Sequence, residues 1–451
     1  MNNDLNNILS ISPIDGRYYS KTESLSAYFS EFGLIKYRVF VEIEYFLALS
    51  KLPIENFKNL SEKDRKNIRS IYQNFTHQDA LKIKEIENEI NHDVKAVEYF
   101  LKNQFDKTGL DKYKEFIHFG LTSQDVNNTA IPLMLKKSIN DIILPQLKNL
   151  IISLDNISNM SDEISMIART HGQPASPTTL GKEINVFTIR IENQIKSLLN
   201  IPNNGKFGGA SGNLNAHYVS YPKINWNDFA DSFLRDLGLE RSNPTTQIEH
   251  YDNMAAIFHN MSRINTILID LCRDIWHYIS INYLIQKVNK NEVGSSAMPH
   301  KVNPIDFENA EGNFGISNSL NDFFVNKLTK SRLQRDLSDS TVLRNIGLSF
   351  GYSLLATSSI NKGINKITPN RKNINEELDQ NWEVLTEAVQ TVMRYEGIED
   401  AYEQLKDLSR GNKLNESIYK DFVANLKISN KAKEKLINLT PSKYIGLAKK
   451  L

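Results

Sequence analysis

The sequence predicts an all-α protein, and three observations carry that prediction. Long stretches place apolar residues three or four positions apart, which is the spacing of one helix face. Among 451 residues there are only 20 Gly and 13 Pro, so few residues interrupt those stretches. With 40% hydrophobic and 24% charged residues, the composition is that of a globular chain that can bury a large core.

Five long helices are predicted between residues 112 and 365. The clearest runs from Asp252 to about Leu284, where apolar residues from Met254 to Ile279 keep the helical spacing. The other four cover residues 131–154, 180–198, 307–328 and 342–364. The first of these should bend at Pro145, because proline removes a backbone donor. Helices of this length with few breakers indicate a bundle.

Three parts follow from this pattern: an N-terminal helical domain (1–111), a central long-helix bundle (112–365) and a C-terminal helical domain (366–451). The flanking parts have shorter helices with charged faces. A long bundle leaves apolar stripes along its sides, so we expect a homo-oligomer. The alternative is a monomer in which the flanking parts cover those stripes.

The charge balance excludes two classes of partner. Lys and Arg number 54 and Asp and Glu number 53, giving a net charge of +1. This provides no electrostatic footprint for nucleic acid or an anionic membrane, so neither is expected as a partner. An anionic ligand must be bound by local groups. The sequence contains no uninterrupted run of about 18 apolar residues, so no membrane span is predicted.

Cysteine usage and the first residues indicate the compartment. Cys272 is the only cysteine, which excludes an internal disulfide and fits a reducing environment. Its apolar helical surroundings favour buried packing over a reactive thiol. The opening "MNNDLNNILS" lacks the basic start and apolar run of a secretory signal. We therefore expect a cytoplasmic protein.

Polar segments between the helices carry the candidate chemistry, and each also has a purely structural interpretation. His171 can exchange a proton near neutral pH, and Gly172 with Pro174 suggests a fixed turn that aims its ring; the alternative is a turn cap. His92 could likewise be a functional histidine, or it could be the partner of an N-cap carboxylate, Asp93. Thr122 and Ser123 could cap a helix or hold an anion at its N-terminus.

Two further segments also have both a functional and a structural interpretation. The Gly-rich segment 203–217 lacks the phosphate-loop and dinucleotide patterns, which favours a flexible connection. The segment 335–345 offers two guanidinium groups and two hydroxyls, suited to phosphate or carboxylate, or else forms a solvated helix face. The histidines show no metal-ligand spacing, so no metal is expected. Neither is a GxSxG nucleophile elbow present.

The segment "GSSAMPHKVNP" at 294–304 resembles the GSSxMPxKxNP signature of the fumarase/aspartase superfamily. His300 after Met-Pro narrows this resemblance to the branch that includes carboxymuconate cycloisomerase. Further stretches along nearly the whole chain are similar to members of that branch: "SPIDGRYYS", "NHDVKAVEYF", "FIHFGLTS", "RTHGQPASP", "TTQIEHYD", "KVNPIDFENAEGN" and "QRDLSDSTVLRN".

The resemblance implies a fold and an activity. The expected fold is a three-domain helical subunit whose central helices join in a twenty-helix core of a homotetramer, with active sites shared between subunits. The expected activity is the β-elimination of fumarate from adenylosuccinate, giving AMP, and from succinylocarboxamide imidazole ribotide, giving its carboxamide. The substrates would be small-molecule nucleotides, and the elimination would need no cofactor. A mobile catalytic loop, 288–304, would close over them.

The resemblance also implies site residues. Ser295 would be the general base and His171 the general acid. Thr122, Ser123, Lys301 and Asn303 would bind the succinyl carboxylates, and Gln247 would lie near the reacting centre. The full substrate-binding set comprises Arg17, Tyr18, Asn91, His92, Asp93, Thr122, Ser123, Gln247, Ser296, Lys301, Val302, Asn303, Asn309, Arg335, Ser340, Thr341, Val342, Leu343 and Arg344. Within it, Arg17, Tyr18, Arg335, Ser340 and Arg344 would bind the phosphate.

One departure and two alternatives remain. Val302 stands where several relatives carry Arg, so the positive field of the loop should rest on Lys301. The first alternative is a carboxymuconate cycloisomerase, which would share the loop but needs no phosphate site. Arg17 and segment 335–344 argue against it, because they offer groups that suit a phosphate. A recruited lens structural protein, the non-enzymatic alternative, would not need both Ser295 and His171.

Overall fold

The computed structural model of the chain describes residues 7–287, 298, 300–409 and 414–450, and it confirms the all-α prediction for them. The longer α-helices are Glu31–Leu49, Glu62–Gln73, His77–Ile90, Asp93–Lys107, Ser123–Ser138, Leu144–Ser161, Leu180–Leu199, Trp226–Asp236, Asp252–Ser280, Ile305–Leu328, Ile346–Ile364, Thr386–Tyr395 and Glu416–Asn425. Shorter ones are Tyr19–Thr22, Ser26–Phe29, Asn215–Ser220, Ser338–Leu343, Arg371–Asp379, Ala401–Ser409 and Asn430–Ile437.

Three small sheets, each of two strands, accompany these helices in the described residues. Ser165–Thr170 pairs antiparallel with Gln173–Thr179, and Leu284–Gln286 pairs antiparallel with Ile367–Pro369. The third pairs Asn204–Gly205 parallel with Glu240–Arg241. No strand was predicted from the sequence.

The predicted long helices are present with small changes of boundary. Leu180–Leu199 and Ile305–Leu328 match their predictions closely. Asp252–Ser280 ends earlier than expected because Leu284 begins a strand rather than extending the helix. The helix predicted for 342–364 is interrupted after Leu343 and resumes at Ile346.

The stretch predicted as one bent helix, 131–154, is helical throughout but irregular in the middle. Ser123–Ser138 is followed by a π-helical turn, Ile139–Ile143, and then by Leu144–Ser161. Pro145 lacks the N–H that would bond the carbonyl of Asp141 four residues earlier. The π-turn lies directly before that missing donor, so the irregularity is attributable to the proline.

The described residues form two compact units. The first draws on 1–147, 194–266 and 312–356, and the second on 148–193, 267–311 and 357–451. The division into three domains at 112 and 366 stays a prediction. None of the helices described here is long and apolar enough to span a membrane.

Each unit has its own core. In the first, the helix Glu31–Leu49 packs aromatic rings closely, with Phe46 centred 5.0 Å from Phe105 and 5.5 Å from Phe57. In the second, Ile167 joins a buried cluster that includes Trp382 and Tyr419. Cys272 is buried as predicted, and burial raises the pKa of its thiol.

Candidate functional site

The helix Ser123–Ser138, here called the site helix, organises the predicted residues of the first unit. Its first turn is closed by Asp125, whose Oδ2 accepts a hydrogen bond of 2.8 Å from the backbone N–H of Thr122. Thr122 is the N-cap residue, as the sequence predicts. Thr122 and Ser123 are half-buried at a helix N-terminus, where backbone donors and the helix dipole favour an anion.

The other oxygen of Asp125 binds the Gly-rich segment. Asp125 Oδ1 accepts hydrogen bonds from Lys206 Nζ at 2.7 Å, from the N–H of Gly208 at 2.8 Å and from the N–H of Gly209 at 3.1 Å. Lys206 is fully buried, and burial lowers its pKa while Asp125 opposes that shift. The expectation that this segment is a flexible connection is therefore wrong, because its amides and its lysine are bound to one carboxylate.

Three predicted residues meet beside the site helix. Gln124 Nε2 donates to Ser340 Oγ at 3.3 Å, and Arg335 Nη2 donates to the same oxygen at 3.2 Å. Arg335 Nη1 also donates to Gln247 Oε1 at 3.2 Å. Gln247 in turn donates to the carbonyl of Ala210 at 2.8 Å. Gln247 lies 88 residues before Arg335, and the fold brings it beside the neighbouring pair Arg335 and Ser340.

Buried groups that were not predicted hold Ser340 in place. Asp339 Oδ1 accepts from the N–H of Ser340 at 2.7 Å, and Oδ2 accepts from Tyr251 OH at 2.8 Å. Asn128 of the site helix donates to Tyr251 OH at 2.7 Å. Burial, and then the Asp339 carboxylate, raise the pKa of Tyr251. Asp339 lies in the quoted stretch "QRDLSDSTVLRN", which is the signal that could have marked it.

Asp93 lies between two arginines. Its Oδ2 accepts from Arg38 Nη2 at 2.7 Å and from Arg344 Nη2 at 2.8 Å. Arg38 is buried and also donates to Asn127 Oδ1 of the site helix at 2.8 Å. Burial acts to raise the pKa of Asp93, but Arg38, the N–H of Val94 and Arg344 outweigh it and hold that pKa at about 2.

The neighbours of Asp93 differ from expectation in one respect. The N-cap of Asp93–Lys107 is His92, whose Nδ1 accepts from the N–H of Lys95 at 3.1 Å. The interpretation of Asp93 as the N-cap carboxylate is wrong, because Asp93 is the first helical residue and its side chain faces the arginines. Asn91 ends the preceding helix with a φ of 52°, a conformation that Asn tolerates better than most residues.

The N-terminal segment lies next to Arg344. The Arg17 guanidinium carbon is 5.7 Å from the centre of the Tyr18 ring. A cavity of about 360 Å³ is lined by residues between Ser12 and Ser30 and by residues between Arg344 and Leu348. Thr341 is exposed, whereas Val342 and Leu343 are buried.

In the second unit, His171 occupies the turn of a β-hairpin. Thr170 pairs with Gln173, so His171 and Gly172 are the two residues of the loop. Their φ values are 53° and 76°, as a type I′ hairpin turn requires. The turn was predicted, and the two strands that present it were not. His171 is exposed at its tip.

The C-terminal part of the signature motif precedes the helix Ile305–Leu328. The N–H of Lys301 donates to the carbonyl of Met298 at 3.0 Å, and Gln286 donates to the carbonyl of Val302 at 2.9 Å. The side chains of Lys301 and Val302 are exposed, and Asn303 is half-buried. Asn309 accepts from Ser359 Oγ at 3.0 Å. Ser295 and Ser296 lie outside the described residues.

A half-buried histidine paired with a buried glutamate was not predicted from the sequence. His118 Nδ1 lies 2.5 Å from Oε1 of the buried Glu42, and His118 has a φ of 59°. Burial alone would lower the pKa of His118, but Glu42 outweighs it and raises that pKa above its usual value. The signal was the position of His118 in "FIHFGLTS", four residues before Thr122.

Two family models together match most of the chain. A "Lyase" model matches residues 16–315, and an "Adenylosuccinate lyase C-terminal" model matches residues 331–445. Among curated relatives, adenylosuccinate lyase of Dictyostelium discoideum is 53% identical, covering 99% of this chain and 98% of its own. The enzyme of the same name from Escherichia coli K12 is 45% identical over 99% of this chain and 98% of its own.

Solved structures show the same fold at lower identity. A fumarate lyase from Mesorhizobium aligns with a TM-score of 0.74 and 16% identity, covering 95% of this chain and 96% of its own. A 3-carboxy-cis,cis-muconate lactonizing enzyme from Pseudomonas putida aligns with a TM-score of 0.71 and 18% identity, covering 95% and 94%. These two likenesses concern the fold alone.

Proposed function

The chain belongs to the adenylosuccinate lyase family, and on that premise we propose how its own residues carry out the elimination. The protein is a carbon–nitrogen lyase that releases fumarate from adenylosuccinate and leaves AMP. The same chemistry applied to succinylocarboxamide imidazole ribotide gives its carboxamide. This chain is 45–53% identical to adenylosuccinate lyases over nearly its full length. It shares only the fold, at 18% identity, with a carboxymuconate lactonizing enzyme, which argues against the cycloisomerase alternative.

The reaction requires three kinds of catalytic group from the protein: a base, hydrogen-bond donors and an acid. A base removes a weakly acidic proton from the carbon next to a carboxylate, and that C–H electron pair forms the double bond of fumarate. Hydrogen-bond donors stabilise the charge that builds up on the carboxylate. An acid protonates the nitrogen as the C–N bond breaks.

We assign the base to Ser295 and the acid to His171. A serine hydroxyl is a weak base at neutral pH, so its proton must become easier to lose when the catalytic loop closes. We propose that loop amides and the Lys301 ammonium lower the pKa of Ser295 in that state. His171 supports its assignment by standing exposed on a rigid two-residue turn, from which an imidazole can reach a ligand.

One observation carries the assignment of the binding groups: segments distant in sequence are bonded directly to the site helix or to its partners. Ser340 and Arg335 converge beside Gln124, and Arg344 is fixed by Asp93. Guanidinium groups and a hydroxyl suit the nucleotide phosphate. Thr122 and Ser123, at the helix N-terminus, suit a succinyl carboxylate.

We also propose the homotetramer with shared active sites and a cytoplasmic location. Large apolar side chains exposed on the long helices support the assembly, since burial against copies of the chain would remove them from water. They include Ile152, Met160, Ile189, Trp276, Ile316 and Phe323. Sedimentation equilibrium would test the assembly, and a monomer at micromolar concentration would contradict it.

The catalytic assignment is tested by Ser295→Ala and His171→Ala. Each should lower the rate of fumarate release by at least about a thousandfold, leaving a small residual rate, while adenylosuccinate still binds with an affinity close to that of the wild type. Ultraviolet absorbance measures the release, and calorimetry measures the binding. Mixing the two inactive variants provides a second measurement, because shared sites would regain activity in mixed tetramers. Full activity of either single variant would refute its role.

A further inference from the structure

The hairpin that presents His171 is tied to the helix Arg371–Asp379 by one arginine. Arg169 Nη2 donates a hydrogen bond to Glu377 Oε1, and Arg169 Nη1 donates to the carbonyl of Gly172 at 3.2 Å. The two side chains of this ion pair are each 26% exposed, so most of each side chain is packed against the protein. The same guanidinium therefore binds the helix with one nitrogen and the turn with another.

The turn needs such support. His171 has a φ of 53°, and a residue other than glycine is strained in that left-handed region. A residue stays there only where surrounding contacts outweigh the strain. The bond from Arg169 to the carbonyl of Gly172 is such a contact, and it holds the Gly172–Gln173 peptide at the end of the two-residue turn.

The helix end of the tie is itself fixed. Ile167 of the hairpin and Leu378, the neighbour of Glu377, belong to the same buried cluster. The backbone N–H of Asn370, which precedes this helix, donates to the carbonyl of Tyr283 at 2.8 Å, and burial and then the Glu377 carboxylate raise the pKa of the Tyr283 phenol. Glu377 is thus held among packed elements, whereas the preceding residue, Glu376, has a side chain that is 57% exposed.

We infer that Arg169, held by Glu377, is a positioning residue for His171. The inference rests on the proposed function, in which His171 is the general acid. The planar fork of Arg169 spans two acceptors in fixed directions, which a lysine cannot do. Loss of the tie would let the turn relax, and a displacement of about 1 Å at a catalytic group lowers the rate by about a hundredfold.

The first test compares Glu377→Gln with Glu376→Gln, the same substitution at adjacent positions of one helix. Glu377→Gln should lower kcat by about tenfold to a hundredfold with little change in KM, because the acid is misplaced while the binding groups are intact. Glu376→Gln should leave both unchanged. Arg169→Lys should not rescue the loss seen in Arg169→Met. Thermal unfolding of each variant identifies any that fails to fold.

The second test separates this inference from the proposed function. Arg169→Met and Glu377→Gln are each measured in the wild type and in a His171→Ala background. If both residues act through His171, they lower kcat in the wild type and produce no further loss in the variant. An equal loss in both backgrounds, or unchanged kcat in the wild type, would overturn the inference. Full activity of His171→Ala itself would instead overturn the proposed function.

Discussion

Lys206 Nζ lies 2.7 Å from Asp125 Oδ1, and neither side chain is exposed to solvent. The pair connects the Gly-rich segment to the first turn of the site helix, where Thr122 is bonded to the other oxygen of the same carboxylate. A buried ion pair of this kind is costly to break, since removing one partner leaves the other charged and without compensation.

Replacing the lysine should therefore be strongly destabilising. Lys206→Met should lower the free energy of unfolding by about 3–5 kcal/mol, measured by urea denaturation at fixed protomer concentration. Lys58→Met is the control, because Lys58 forms an ion pair with Glu55 while 70% exposed, and it should cost less than about 0.5 kcal/mol. Equal losses in the two variants would contradict a special role for the buried pair.

Gly120 and Gly109 offer a matched pair of substitutions. Both have positive φ, 67° and 73°, so alanine is strained at either position by about 1 kcal/mol. A Cβ at Gly120 would also lie 2.8 Å from the His217 ring, whereas one at Gly109 would meet nothing within 4 Å. Gly120→Ala should lower the melting temperature clearly more than Gly109→Ala, and the same shift in both would show that His217 moves freely.

His217 should make stability depend on pH. Burial lowers its pKa to about 4 from 6.5, so the folded protein keeps the imidazole neutral while the unfolded chain protonates it. Its contribution is complete above pH 6.5 and is lost as the pH falls toward 4, by about 1.4 kcal/mol per pH unit. The difference in unfolding free energy between wild type and His217→Gln should shrink from pH 7 to pH 5. Parallel curves would count against this burial.

The proposed phosphate contact of Arg344 can be isolated with a substrate that lacks phosphate. Arg344→Gln removes a charged donor and should lower kcat/KM for adenylosuccinate by about tenfold to a hundredfold. With the corresponding nucleoside, succinyladenosine, the loss should be small, because that ligand has no phosphate to bind. Similar losses on both substrates would place Arg344 elsewhere in the mechanism.

Helix positions followed from the sequence because apolar spacing is local information. The pattern of Leu180–Leu199 is repeated over 20 residues and was predicted almost to its ends. The strands beside His171 were missed because "SMIART" and "QPASPTT" alternate poorly and pair only with each other. The candidate site residues in "NHDVKAVEYF" and "QRDLSDSTVLRN" could be predicted for a different reason, namely the resemblance of these stretches to known lyases.

The side chains that hold the site together were not predictable in this way. Arg38 lies in an apolar helix and bonds to Asp93, 55 residues away, so no local pattern marks it. Lys206 lies in a stretch whose glycines suggest freedom, and its partner Asp125 is 81 residues earlier. Such contacts depend on which elements the fold makes adjacent, which the spacing of residues along one element does not reveal.

The shared carboxylate of Asp93 also bears on how selective an anion site at Arg344 can be. Because that guanidinium already has a counter-ion and a set rotamer, a small anion that merely replaces one bond gains little by binding. A larger ligand that engages additional groups at the same time does not face this limit. At the proposed phosphate site, we therefore expect the resting ion pair to disfavour free inorganic phosphate, which competes with nucleotides in any cell.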